Sequence, residues 1–414
     1  MAKFSQISYS DTGALDAFSR LRTSQPNVIL SIQSQYDANP IQMEAGATGT
    51  GVSASYSTST RMVQLSATSG SGTSFIQTYQ YSPYQPGHSQ FIGMTGVLGT
   101  GVNGCTKDFG YFDSNNGVIY RQNGTGSLQF ILRTSTGGSV SDANIVNQSA
   151  WTLDKMNGTG PSGITLDVTK AFILIIDLQF LGMGRVRVGF DVDGIICYAH
   201  QFVNANNLTV PCMQTATLPI GVVLTSTAST TANCYFKCAT VQSEGGTLDR
   251  YGYGNTTPET TVTAGNGTRV PLVAVRPKTT FNGITNRTLF ILDTISIFVT
   301  GNMDIQWELV VGGNYSGQTW ADVATGFSAF EYTSVPGAYT NLTGGVVITS
   351  GYASRLGGGN NGQPIAITEL QSLKYPISLD RVGNVRAMGT LTLLVSGNTA
   401  ASACRGNLNF KEIR

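Results

Sequence analysis

The chain is 414 residues long, beyond the size at which one hydrophobic core keeps growing, so two domains are expected. Only 11% of residues are charged and 50 are glycine, so helix-favouring charged surfaces are scarce and Ser, Thr, Asn and Gly supply the polar surface of an all-β protein rich in turns. The net charge of +1, without a basic block or long acidic run, argues against nucleic acid and anionic membrane as partners, and no segment approaches the roughly 20 apolar residues that span a bilayer.

The N-terminus, MAKFSQISYSDTG, lacks the apolar region of a signal peptide, so synthesis in a cytoplasm is expected. The Asn-x-Ser/Thr triplets, such as Asn123 to Thr125, then follow from composition alone. Residues 11 to 26 fit one short helix, with Asp11 or Thr12 as cap, Leu15, Phe18 and Leu21 on one stripe and Pro26 as the stop. Such a helix is marginal alone. Residues 1–27 therefore read as a docking arm that seeks a partner on another chain or on the first domain, with Leu15, Phe18, Leu21, Arg20 and Arg22 as its candidate contacts.

Val28 to Gln35 reads as a strand, and the Gly/Ser/Thr-rich stretch from Gly46 to Thr60 as loop. Strands then recur at Met62 to Ala67, Phe75 to Tyr81, Gln90 to Val97, Gly110 to Phe112, Gly117 to Arg121 and Leu128 to Thr134, separated by Gly/Asn turns. Regular strands with no alternating helices predict a sandwich or jelly roll. Its clearest part is Ala171 to Phe202. Phe172 to Phe180 is apolar on nearly both faces, Gly182 and Gly184 allow a reversal, and Val186, Val188, Phe190 and Val192 alternate with Arg187, Gly189 and Asp191. Asp193-Gly194 turns this strand into Ile195 to Phe202, because both residues tolerate the positive φ of a type I′ hairpin turn. Leu218 to Leu224 and Cys234 to Val241 read as the last strands of a domain spanning residues 28–246.

The phrases GALDAFSRLRTSQP, YQPGHSQFIGMTGVLG, GYFDSNNGVIYRQNGTG, WTLDKMNGTGPSGITLDVTKAFILIIDLQFLGMGRVRVGFDVDGIICYAHQF and SEGG resemble a widespread family of tailed-bacteriophage virion proteins. The resemblance covers residues 11 to 246 and the remainder loosely. It implies residence in the particle, contact with other virion proteins and, from the family type together with the low charge, a homotrimer. It brings no active site. A further resemblance, of topology, is to laminin-G and concanavalin-like jelly rolls, where a strand-Asp-Gly-strand hairpin is common; topology carries no function by itself.

Thr247 to Gly267 shows no apolar period and reads as a linker. A second β-sandwich domain, residues 268–414, is predicted from strands at Val270 to Val275, Leu289 to Leu292, Ile295 to Val299, Ile305 to Val311, Val346 to Ser350, Ile365 to Leu370 and Leu391 to Val395. Thr319 to Gly326 fits a helical turn or two, and Gly357 to Gly362 an exposed loop.

Motifs for chemistry are few. Three segments match G-x-G-x-x-G, at Gly99, Gly158 and Gly357, but none opens a helix, and no Gly-Lys pair exists to build a phosphate loop. Asp191-Val-Asp193-Gly194 begins like a calcium loop, yet Ile195 and Phe202 stand where further oxygen ligands belong, and the hairpin accounts for Asp193 and Gly194. The six cysteines show no C-x-x-C spacing and read as free thiols. Of the two histidines, His200 reads as a hydrogen-bonded structural residue. His88 sits on a turn beside Tyr79, Tyr81 and Tyr84, a cluster that suits either stacking on a sugar ring or a rigid corner set by Pro83 and Pro86. No cofactor or metal is expected, and no motif supports an enzyme. The leading expectation is a structural protein of the virion; the alternative is recognition of host-surface glycan through Tyr79, Tyr81, Tyr84 and His88, with polysaccharide cleavage behind both.

Overall fold

The computed structural model describes residues 15–18, 21–22, 26–245, 252–313, 318–334, 344–354, 365–366 and 375–414. The chain divides into two compact units, residues 1–250 and 251–414. Both are built of antiparallel β-sheets, and among the described residues helical structure is confined to single turns such as Gln148–Ala150.

The first unit contains β1 (Asn27–Gln33), β2 (Met43–Gly49), β3 (Val52–Ser57), β4 (Met62–Ala67), β5 (Gly72–Thr78), β6 (Ser89–Val97), β7 (Cys105–Phe112), β8 (Gly117–Gln122), β9 (Leu128–Thr134), β10 (Ser141–Asn147), β11 (Ala171–Leu178), β12 (Val186–Val192), β13 (Ile195–Phe202), β14 (Ile220–Ser226) and β15 (Ala232–Glu244). One sheet runs β13-β12-β11-β6-β15-β4-β3, the other β10-β9-β8-β7-β14-β5-β2. The long β15 pairs with β6 along one side, while β4 takes the first part of its other side and β1 the rest. Alternation sorts the side chains: Leu174, Ile176, Leu178, Val186, Val188 and Phe190 join the core between the sheets. At its centre Phe130 stacks on Trp151 with centroids 4.3 Å apart, and Tyr120 and Phe172 meet Phe190 edge-on. Each such ring contributes roughly 2–3 kcal/mol by burial. The Asp193-Gly194 hairpin forms as its chemistry predicts, with φ of 55° and 83°.

The second unit contains β16 (Tyr253–Thr256), β17 (Thr260–Ala264), β18 (Val270–Pro277), β19 (Thr280–Phe281), β20 (Ile284–Thr285), β21 (Leu289–Val299), β22 (Ile305–Val311), β23 (Ala321–Asp322), β24 (Phe330–Thr333), β25 (Val346–Ala353), β26 (Ile365–Ala366), β27 (Leu391–Gly397) and β28 (Ser402–Ile413). One sheet runs β16-β28-β21-β26, the other β23-β24-β18-β27-β22-β25. The long β28 repeats the device of β15: β21 lines one side and the short β17 and β16 share the other. The core gathers Leu272, Ile295, Trp307, Leu309, Phe330, Leu393 and Phe410.

Four expectations need correction. The helix expected over residues 11 to 26 is not shown: Leu15 forms an antiparallel bridge with Leu21, and the Asp16 carboxylate accepts the Phe18 N–H at 2.9 Å, a local bond that competes with helix. Gly46 to Thr60, expected as loop, holds the end of β2 and all of β3. The chain reverses between them at Gly51, where a Cβ would fall 1.3 Å from the Ser69 carbonyl oxygen. Within residues 247–267, expected as linker, β16 and β17 pair with β28. Thr319 to Gly326 carries the two-residue β23 and a turn in place of helix. Gly357 to Gly362 and residues 367–370 of the expected strand lie outside the described residues.

Candidate functional site

Asp177 interrupts the apolar run of β11, and the antiparallel register sets it directly opposite Arg187 of β12. Both point away from the core between the sheets, yet each is fully buried, at 0% exposure. A buried charge needs a partner and hydrogen bonds. Asp177 Oδ2 accepts three: Arg187 Nη2 at 2.5 Å, the Tyr198 hydroxyl at 2.7 Å and Arg22 Nη2 at 2.7 Å. Arg187 also lies over the Tyr198 ring, 4.2 Å from its centroid.

Arg22 comes from the N-terminal arm. Its Nε donates to Glu244, the last residue of β15, and its Nη2 reaches the second carboxylate oxygen at 3.2 Å. The guanidinium rests 5.0 Å from the Phe91 centroid on β6. Ser89 closes the network by donating to Glu244 at 2.6 Å. Burial opposes the charge on Arg22, but the Glu244 bond and the negative charges of Asp177 and Glu244 outweigh it and hold the pKa above the ordinary guanidinium value. Burial, then the Asp177 charge, pushes the Tyr198 phenol up.

A second contact fixes the arm: Arg187 Nη2 donates to the Leu15 carbonyl at 2.9 Å. Leu15, Asp16 and Ala17 are buried in this position. In the strands beneath, Gly189, Ile175 and Gly93 stand in one register row of this same outer face, the seat of the arm, and Ile175 is buried. The seat and the arm thus complete one another in charge: Asp177 and Glu244 against Arg187 on the sheet, with Arg22 supplying the second positive charge.

Among the residues expected to dock, Leu15 and Arg22 enter this site, Leu21 is half exposed, Phe18 is partly buried and Arg20 lies outside the described residues. The Tyr79 to His88 cluster flanks this site, with His88 beside Ser89 and Tyr84 at the turn that follows Asp177. Tyr81 is buried. Tyr84 donates its hydroxyl to the Gln179 carbonyl at 2.7 Å, accepts the Leu181 N–H at 3.2 Å, and meets Phe180 edge-on. Its phenol pKa is raised by burial. It clamps the turn between β11 and β12. His88 Nδ1 lies 3.4 Å from the Ser243 hydroxyl. His200 bonds the Thr152 hydroxyl at 3.1 Å and stands edge-on to Phe202, with its pKa lowered to about 4 by burial. Asp191 caps the hairpin turn by accepting the Gly194 N–H at 2.9 Å, and all six cysteines are free.

Two signals for the arm site stood in the sequence: one acid inside an apolar strand, and a reversal centred on Gly182 that sets 177 against 187. The arm reading names Arg22 as a docking contact, but nothing in the sequence pairs it with Asp177 or marks Glu244.

No protein-family model matches this chain, and no curated protein matches it. Among solved structures it is similar to a conserved carbohydrate esterase from the Shiga toxin-encoding bacteriophage phi24B, at 8% identity and a TM-score of 0.33, over 53% of this chain and 100% of that one. It is similar to a carbohydrate-binding module from Bacillus subtilis at 12% identity and a TM-score of 0.26, over 48% of this chain and 95% of that one. It is also similar to an endo-1,3-beta-glucanase from Streptomyces sioyaensis at 14% identity and a TM-score of 0.33, over 54% and 98% of the two chains. Likenesses at these identities and scores assign this chain neither ligand nor activity.

Proposed function

We propose that the chain is a structural component of a tailed-phage particle, a scaffold of two β units whose work is to hold and join. The observation that carries this reading is how its sheet-face carboxylates are used. Asp177 and Glu244 are tied to Arg22 and Arg187, Asp108 to Arg121, Asp142 to Arg133, and Glu331 to Arg276. Glycosidic cleavage needs two carboxyl groups about 5–10 Å apart that face a substrate. Acids already spent on arginines instead stiffen a surface. The motif resemblance over residues 11–246 directs that surface to other virion proteins. The test is mass spectrometry of purified particles together with a nonsense mutation in the gene. The reading expects the chain at fixed copy number and defective particles without it; intact, infectious particles lacking the chain overturn it.

A second reading, glycan recognition, draws on the second unit. Tyr253 and Phe327 are 62% and 77% exposed, and the Arg414 guanidinium lies between the Tyr253 and Phe281 rings, 4.5 and 4.6 Å from their centroids, while donating to the Phe327 carbonyl. Exposed rings beside a guanidinium offer stacking and hydrogen-bond donors to a sugar. Glycan-array binding that disappears in Tyr253→Ala supports this reading, and a blank array across host polysaccharides removes it.

A further inference from the structure

Resting on the glycan reading of the second unit, we infer that the site around Arg414 takes acidic glycan, a polysaccharide bearing uronate carboxylates, in preference to neutral sugar. Arg414 is fixed within the site by its own chain. Its guanidinium lies between the rings of Tyr253 and Phe281, its Nε and Nη2 donate to Glu412 at 3.2 and 2.8 Å, and Nη2 also reaches the Phe327 carbonyl. Among the described residues Nη1 donates to nothing, so its two N–H groups are left for a ligand oxygen. A carboxylate suits them better than a hydroxyl, because a hydrogen bond between ionised partners is roughly twice as strong as a neutral one. A side chain already held in place also loses little freedom when the ligand binds.

The charges around the site favour an anion. Lys278 adds a second cation, 5.6 Å from the Phe281 centroid and paired with Asp322 at 3.2 Å. Arg287 adds a third, donating to the carbonyls of Asp380 and Arg381, and Arg381 itself a fourth. Against them stand Asp322, Asp380 and Glu412. Glu412 is fully buried and shared among several donors, and Asp380 is taken up in its own loop, accepting the N–H groups of Val382 and Asn384 at 3.0 and 2.7 Å. The surface offered to a ligand is therefore cationic and framed by apolar groups, since Ile284 and Val382 are exposed like Tyr253 and Phe327. The frame is tied together. Lys278 N–H and Asn286 Nδ2 both donate to the Ala329 carbonyl, at 3.0 and 2.7 Å, which joins the β19–β20 hairpin to the loop carrying Phe327. A Cβ on Gly383 would fall 3.1 Å from Thr285 Cγ2, so the loop carrying Val382 lies against the same hairpin.

The test measures binding of the full-length chain to uronate polysaccharides, polygalacturonate among them, beside the same polymers after chemical reduction of their carboxyl groups. The acid forms should bind roughly fivefold or more tightly than the reduced forms, and the difference should shrink as salt rises from about 50 to about 500 mM. Arg414→Gln should remove the difference. Phe327→Ala, which trims a side chain that is largely exposed, should weaken both forms alike. Equal binding of acid and reduced polymers overturns the inference and leaves the glycan reading standing, as does a preference that neither salt nor Arg414→Gln reduces. Binding to neither form removes the glycan reading itself and the inference with it. The comparison of polymers is made on the unaltered chain, so it holds whether or not a variant folds.

Discussion

Each unit closes on one long strand that ends in a buried glutamate, Glu244 on β15 and Glu412 on β28, and the two are satisfied differently. Glu412 accepts from Asn255 at 2.8 Å, from the Ala329 N–H at 3.1 Å, from the Ser328 hydroxyl and from Arg414 at 2.8 Å. Three of these donors are neutral, and all belong to its own unit. Glu244 leans on Ser89 and on Arg22, and Arg22 is shared with Asp177. Neutral donors close a site without long-range charge. A site that borrows charge from an arm is complete only when the arm is seated.

The sharpest way to break this contrast is Arg187→Met. It removes one of the two arginine partners of Asp177 and the hold on the Leu15 carbonyl; Asp177 keeps Arg22 and the Tyr198 hydroxyl, so the loss falls at the low end of the roughly 3–5 kcal/mol range for breaking a buried pair, about 3 kcal/mol. Urea unfolding should show the first unit's transition falling by that amount while the second stays in place. A loss below about 1 kcal/mol means that Asp177 does not depend on the pair.

The next effect is set by pH. Both histidines lie in the first unit. His200 is held at about 4 against an ordinary 6.5 by burial, so the unfolded chain takes up its proton first as pH falls. The contribution is complete above pH 6.5, declines between 6.5 and 4, and amounts to at most about 3 kcal/mol. The wild-type first unit should weaken across that window more than a His200→Gln variant. Parallel curves for the two proteins reject the assignment.

Glu412→Gln sharpens the comparison from the other side. The amide keeps the shape but turns a charged acceptor into a neutral one with an N–H facing donors, a change of about 1.5–3 kcal/mol. Only the second unit's transition should move.

How much of this was legible in the sequence depends on where each segment lies. The β11–β13 region reads directly, because its alternation, its double-sided apolar run and its Asp-Gly turn all point one way. β2 and β3 do not: they are edge strands built of Gly, Ala, Ser and Thr with mostly exposed or half-exposed positions, so no apolar period betrays them. β16 and β17 hide for the same reason, being short and held by the long β28. In the arm, Leu15, Phe18 and Leu21 share a helical spacing, but few residues separate them, and so short a segment takes its shape from what it binds. Arg22 and Glu244, 222 positions apart, meet only through the fold.

The smallest effect separates the turns of the two units. The β19–β20 hairpin places Asn282 and Gly283 at positive φ, 50° and 79°, residue types that tolerate it. The turn between β11 and β12 places Phe180 and Leu181 there, at 48° and 47°, followed by Gly182 at 78°. An L-residue held in this region costs about 1–2 kcal/mol. The Tyr84 hydroxyl and the Cys212 N–H, which donates to the Gly182 carbonyl at 2.8 Å, keep it in place. Leu181 is 53% exposed, so Leu181→Gly gives up little burial. Relief of strain is partly offset by the greater freedom of glycine in the unfolded chain, about 0.4–1 kcal/mol. The variant should therefore be more stable, by no more than about 1 kcal/mol, with the gain in the first unit's transition alone. A loss of that size would show instead that the Leu181 side chain contributes packing, and that this turn is held by its apolar tip as well as by Tyr84.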